Sequence, residues 1–244
     1  MDKAKILRDR MVDLRKAYQT CVRCGLCRSR TSVALPRGKM RPHIMVIGEH
    51  PTMAEDEKGS AWEGPAGRLL VDVHDSTKYY DGAGNICLPD LWVSHTLLCV
   101  PLFFDRNDRP ELRAPTDEEV SACLPRLLEE IALLDPEVIV LMGNLPARVL
   151  TKQRKQMRNI AGTLDTIHFT HEGYPVQFPA YITYAPDYLL RVDAARDPNG
   201  PTRFTMDLFR SATRLALYVR SCREGQDPTP TVFASLEASR LGSL

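Results

Sequence analysis

Seven cysteines stand in this chain of 244 residues. Cys21 and Cys24 form a C-x2-C pair, a spacing that suits zinc, an iron–sulfur cluster or a thiol redox couple. Cys99 and Cys123 lie further along. Together the four would make a soft, all-sulfur ligand set if the first segment packs beside them. Spacing alone leaves it equally open that Cys99 and Cys123 are ordinary buried cysteines. Cys27, Cys87 and Cys222 take no role. A second concentration of chemistry runs from His43 to Leu70. Glu49, Glu55, Asp56, Glu57, Trp62 and Glu63 crowd one loop there. Carboxylates with one large aromatic, directly after a buried apolar run, suit an active-site loop better than a linker.

The elements that must carry these residues read as follows. Residues 3–19 repeat apolar side chains at helical steps (Ile6, Leu7, Met11, Leu14, Tyr18). Residues 28–42 form a basic loop with Pro36, Gly38 and Pro42. The runs 43–48, 91–98, 138–143 and 180–184 read as strands, and VIVLMG at 138–143 is of the fully buried parallel kind. Between them the sequence predicts helices near 66–71, from the Thr116/Glu119 capping box to Leu134, over 145–157 and over 203–220. The stretches 75–89 and 100–115 read as loops. Alternating strands and helices predict an α/β fold, a three-layer α/β/α arrangement around a parallel sheet. One domain over 1–222 is expected, with a flexible tail over 223–244.

Hydrophobic content of 43% supports a full core. No apolar run reaches the ~18 residues that a membrane-spanning helix needs. The start of the chain, MDKAKILRDRMVDL, lacks the apolar core of a signal peptide, so a cytoplasmic location is the default expectation. In that setting seven cysteines speak for metal or redox chemistry and against a disulfide framework. Residues 1–42 hold twelve Lys or Arg against three Asp, a net +9, while the other 202 residues hold 20 against 28, a net −8. A basic first segment suits a polyanion such as nucleic acid, but on charge alone a solvated amphipathic helix followed by a loop is the slightly better reading.

Several motifs now coincide. Cys21-Val-Arg-Cys24-Gly-Leu-Cys27-Arg-Ser-Arg30 precedes a strand ending in Gly48-Glu49-His50-Pro51-Thr52-Met53-Ala54-Glu55-Asp56. Then come Gly59-Ser-Ala-Trp62-Glu63-Gly64-Pro65-Ala66-Gly67-Arg68-Leu69-Leu70, His95-Thr-Leu-Leu-Cys99, Pro115-Thr-Asp-Glu-Glu-Val-Ser-Ala-Cys123 and Thr183-Tyr184-Ala185-Pro186-Asp187-Tyr188-Leu189-Leu190-Arg191. In this order the set resembles the family 4, iron–sulfur branch of the uracil-DNA glycosylase superfamily, over roughly residues 20–192. The resemblance implies a four-stranded parallel sheet and a 4Fe-4S cluster held by Cys21, Cys24, Cys99 and Cys123. It implies DNA, single- or double-stranded, as the partner of a monomeric protein, with no membrane involved. The activity it implies is hydrolysis of the N-glycosidic bond of uracil or a related modified base, flipped out of the stack.

Within that resemblance Glu49 is the water-orienting catalytic acid and His95 the second catalytic residue. Gly48, His50, Pro51, Asp56, Trp62, Ala185 and Arg191 are substrate-binding positions. Departures from the family pattern cluster on one side. The base-reading Asn is His95, the final His is Ala185, the stacking Phe is Trp62, and the second Gly of the first motif is Thr52. Asn offers a donor and an acceptor side by side; His95 cannot reproduce that pair. Ala185 removes a donor whose loss typically costs about 10²- to 10³-fold. An alternative function is therefore a catalytically impaired DNA-binding or replication accessory protein of the same fold, and a third is a redox-responsive DNA binder. One variant of the superfamily captures its substrate covalently through a His in an Arg-rich insertion. Residues 102–113 form an insertion with Arg106, Arg109 and Arg113 but no His. That route is not expected here, and its arginines are candidates for phosphate contacts.

Overall fold

Four runs apolar enough to be covered on both faces make the centre of the sheet. The computed structural model describes residues 3–81, 83–192 and 200–226. After α1 (Lys3–Gln19), the short strand β1 (Arg37–Gly38) leads into β2 (Ile44–Gly48), in which every residue is buried. Helices α2 (Met53–Lys58) and α3 (Gly64–Asp75) follow, then a small hairpin of β3 (Tyr79–Tyr80) and β4 (Ile86–Cys87), and β5 (Leu91–His95). A second hairpin, β6 (Leu102–Phe104) and β7 (Pro110–Leu112), precedes α4 (Asp117–Leu134). The chain continues through β8 (Val138–Met142), α5 (Asn144–Thr151), α6 (Met157–Ile160), β9 (Leu164–His171), β10 (Tyr174–Thr183), α7 (Pro186–Val192) and α8 (Pro201–Arg223).

The sheet has six strands in the order β1-β5-β2-β8-β10-β9. The expected four parallel strands are its core: β5, β2, β8 and β10 run parallel. The count is corrected by an antiparallel strand at each edge, β1 on β5 and β9 on β10. Alternate residues of the parallel strands serve opposite layers. Met45, Ile47, Ile139 and Leu141 pack with α1, α4 and α5; Ile44, Val46, Val138 and Val140 pack with α3, α7 and α8.

Other expectations are refined. The loop after β2 contains α2, capped by a Thr52/Glu55 box, and the box at Thr116/Glu119 opens α4 as read. The single helix expected over 145–157 ends at Thr151, because Lys152 takes a left-handed conformation, and resumes as α6. The loops at 75–89 and 100–115 hold the two hairpins. The tail expected over 223–244 lies outside the described residues from 227 onward. No helix among the described residues is long and apolar enough to cross a membrane.

Candidate active site

The parallel strands end together, and β2 and β5 hand over their chemistry at the same level: Gly48 is the register partner of His95. A pocket of ≈ 50 Å³ opens there, lined among others by Gly48, Glu49, Thr52, Glu55, Trp62, His95 and Ala185. A site outside the carboxyl ends of parallel strands is where open α/β sheets place ligands.

Glu49 stands at the mouth. Its Oε1 accepts the Leu145 amide of α5 at 3.1 Å. A Cβ on Gly143 would lie 2.5 Å from that same oxygen. Gly143 has φ +106°, so its glycine serves both the turn and the room for Glu49.

Trp62 and His95 form the inner wall. Trp62 is 2% exposed and His95 5%. Their rings stack with centroids 5.3 Å apart and planes 10° from parallel, an offset stack. Trp62 has φ +60°, a costly conformation for a bulky residue. Four groups hold it there. Arg37 Nη2 donates to the Trp62 carbonyl at 2.9 Å, Trp62 Nε1 donates to the Ser94 carbonyl at 3.1 Å, and the Trp62 amide donates to Glu55. Gly67 is the fourth: a Cβ there would lie 1.9 Å from the Trp62 carbonyl oxygen.

Glu55 is the hub. Besides the Trp62 amide it accepts the Thr52 amide at 2.8 Å, the Thr52 hydroxyl at 2.9 Å and His95 Nε2 at 2.7 Å. Burial pushes its carboxyl up, but the hydrogen bond and charge of His95 with the Thr52 bonds outweigh that and hold it at about 2. An ionised Glu55 fixes a proton on His95 Nε2. His95 Nδ1 is buried with no hydrogen-bond partner and faces the Gly48 Cα, where a Cβ would come within 2.5 Å of it. Thr52, a departure from the family motif, is thereby explained: it caps α2 and fastens Glu55.

Of the other expected positions, His50 and Ala185 line the pocket. His50 Nδ1 lies 3.0 Å from the Pro51 carbonyl, and Pro51 itself is buried. Arg191 lies outside the pocket, with Arg158 along a neighbouring cleft that reaches Glu49 and Ala185. Asp56 is not part of the pocket wall. Its carboxylate accepts the Thr31 amide at 2.7 Å and the Ser32 amide at 3.3 Å, tying the cysteine segment to α2. Sequence reasoning missed Glu55 as the partner of His95, and Arg37 as the brace of Trp62. The Thr52/Glu55 capping-box spacing was the available signal for the first.

A separate cavity is rimmed by Cys21, Cys24, Cys99 and Cys123, with Tyr18, Leu26, Val33 and Leu97 around them. All four are free thiols. Arg30 Nη1 donates to Cys99 Sγ at 3.2 Å, and Arg126 Nη2 lies 3.8 Å from Cys123 Sγ. Burial pushes the Cys99 thiol up to about 11, against the opposing charge of Arg30. Among the described residues no three His, Cys, Asp or Glu side chains converge on a point that would hold a single metal ion. The four thiols rim a shared apolar cavity with two guanidiniums near sulfur, a soft all-sulfur donor set. Cys27, Cys87 and Cys222 are not on this rim.

Arg126 links the two sites. It is 2% exposed and donates through Nη2 to the His95 carbonyl at 2.7 Å and the Thr96 carbonyl at 3.0 Å. Its Nη1 donates to Ser94 Oγ at 3.1 Å and pairs with Glu130. Glu130 accepts Trp92 Nε1 at 2.5 Å. A buried charge pair persists only when hydrogen-bonded like this.

These features define an α/β/α protein with a small acid-flanked pocket at the ends of its parallel strands and a thiol-rimmed cavity behind it. The Uracil DNA glycosylase superfamily model matches residues 35–208, and the chain belongs to that superfamily. A Type-4 uracil-DNA glycosylase from Pyrobaculum aerophilum is 29% identical over 188 residues, 76% of this chain and 88% of that protein. The Type-4 uracil-DNA glycosylase of Saccharolobus solfataricus is 26% identical over 166 residues, 68% of this chain and 70% of that protein. That of Archaeoglobus fulgidus is 28% identical over 138 residues, 57% of this chain and 62% of that protein.

Proposed function

We propose that this protein is a DNA glycosylase that hydrolyses the N-glycosidic bond of uracil or a related modified base. One observation carries the reading: Trp62 and His95 are parallel and offset. Both rings line the small pocket, and a flipped base entering it would lie against this aromatic wall. Glu49 stands at the mouth, where the sugar of that nucleotide would be.

Water attacks C1′ of the sugar while the bond from C1′ to the base nitrogen breaks and its electron pair leaves with the base. Glu49 orients the water, takes its proton and stabilises the cationic sugar. Nε2 of His95 is bound to Glu55, which leaves Nδ1 as its ring nitrogen without a partner. The His95 ring lines the pocket in which the departing base would lie, on the side where Ala185 leaves out the family's His. His95 offers one hydrogen-bonding group toward the base, so base selection is looser than with a two-point amide reader.

Cys21, Cys24, Cys99 and Cys123 would hold a 4Fe-4S cluster, which ties α1, the cysteine segment, β5 and α4 together. Iron and sulfide analysis of anaerobically prepared protein tests that assignment. Single-turnover release of free base from oligonucleotides carrying uracil, hypoxanthine, xanthine or hydroxymethyluracil tests the activity. Release of more than one of them is expected; release of none rejects the enzyme in favour of a binding protein.

A further inference from the structure

Glu49 and His50 line two spaces at once: the small pocket and a groove of ≈ 850 Å³ that leads away from it. One wall of the groove carries Gln153, Arg154 and Lys155, between α5 and α6. The other is the foot of the β6–β7 hairpin, Leu112 to Thr116.

The hairpin is a rigid piece. Arg113 at its foot donates to Glu119 at 2.9 and 2.5 Å and to the Leu102 carbonyl at 3.2 Å. At its tip Asp105 accepts the Asn107 amide at 2.8 Å, the Arg109 amide at 2.9 Å and Arg109 Nε at 3.1 Å. Its register pairs Leu102 with Leu112, Phe103 with Glu111 and Phe104 with Pro110. Directly paired residues share a face and next neighbours oppose it. Leu102, Phe104, Pro110 and Leu112 therefore make one apolar face, the face of Leu112 that lines the groove, and Phe103 with Glu111 make the other. Phe104 is 51% exposed.

Of the cations that line the groove, Arg148 pairs with Asp117 at 3.5 Å, while Arg154 and Lys155 are uncommitted. Lys152, Arg154, Lys155 and Arg158 make no ion pair among the described residues, whereas Arg10, Arg37 and Arg220 are each spent on internal carboxylates or carbonyls. An exposed aromatic on a hydrogen-bonded ribbon, whose foot lines the groove with free cations, suits unstacked bases on one side and their phosphates on the other.

We infer that the groove is a single-strand track. Bases flanking the flipped nucleotide stack on the Phe104 face of the hairpin, and their phosphates run along residues 152–158. This rests on the proposed action on DNA and adds to it the strand preference: unpaired DNA binds more tightly than duplex, whose stacked bases offer no free face.

The test is equilibrium binding of a labelled oligothymidine and of a duplex of equal length, for the parent protein, Phe104→Ala, Phe103→Ala and Lys155→Glu. Phe104→Ala should weaken single-strand binding about 5- to 150-fold, the range for losing one stacked base, and leave duplex binding near the parent value. Phe103→Ala, on the opposite face, should change neither. Lys155→Glu should weaken both and flatten the salt dependence. Single-strand binding by Phe104→Ala equal to that of the parent overturns the track while leaving DNA action standing. A parent protein that binds neither DNA overturns the reading beneath it.

Discussion

His95 is the residue on which this pocket turns. Its Nε2 is committed to Glu55 at 2.7 Å, and only Nδ1 is left for a base. Replacing it by Asn restores a donor and an acceptor side by side. His95→Asn should therefore raise discrimination for uracil over hypoxanthine about 2- to 12-fold, the worth of one added hydrogen bond. Equal discrimination in the two proteins, measured as the ratio of single-turnover rates, would show that His95 does not read the base. The sequence made Glu49, Trp62 and His95 visible because each sits at a motif position. It did not reveal that His95 is half of a dyad, because Glu55 lies 40 residues away and meets it only across the ends of β2 and β5. Nor did it show that Asp56, adjacent to Glu55, turns away to the Thr31 and Ser32 amides. Neighbours in sequence at a helix start point to different sides, and periodicity alone cannot say which side holds the site.

At the scale of elements, the loop between β2 and α3 is a set of interlocked backbone constraints. Trp62 stays at φ +60° because Glu55, Arg37 and the bare Cα of Gly67 all fit that conformation. Gly67→Ala places a methyl 1.9 Å from the Trp62 carbonyl oxygen, and backbone cannot yield as a flexible side chain would. It should destabilise the fold by more than about 3 kcal/mol, read by urea unfolding. A loss under about 1 kcal/mol would mean that α3 can slide away from Trp62. The parallel strands were legible as fully buried runs. The antiparallel β9 was not: its burial alternates weakly and it carries only Leu164, Ile167 and Phe169 as apolar residues. Pro175 and Pro179 disguised the first half of β10. They are tolerated because that half pairs with β9 alone, and β8 joins only from Ala180.

For the molecule as a whole, the uneven charge along the chain misdirects. The net +9 of residues 1–42 would suit a polyanion, yet several of its arginines are tied to groups of the fold itself. Arg10 meets Glu129 at 2.7 Å, Arg15 the Pro36 carbonyl at 2.6 Å, and Arg30 the Cys21 carbonyl at 2.6 Å. Lys152, Arg154, Lys155 and Arg158, which make no ion pair among the described residues, lie inside the acidic remainder. Acid stability is also a property of the whole. Burial, then Arg220, hold the His43 imidazole down at about 4 from its usual 6.5, with Asp90 opposing. A lowered folded value means that the unfolded chain takes the proton first, so this stability is complete above pH 6.5 and is lost as pH falls toward 4. Glu55, at about 2 against 4.5, contributes stability present above pH 4.5 that is lost as pH falls toward 2. Thermal unfolding should therefore show the melting temperature falling in two stages, the first removed in His43→Asn. A melting temperature flat from pH 7 to 4 would contradict this.

Glu49 is proposed to act at the mouth of a pocket built by Trp62 and His95. Single-turnover cleavage of a uracil-containing single strand by the parent and by Glu49→Gln, with DNA binding measured on the same preparations, tests it most directly. The predicted result is base release about 10²- to 10⁴-fold slower in Glu49→Gln, the range for removing a general base, at unchanged DNA affinity. Release at the parent rate by Glu49→Gln would contradict it.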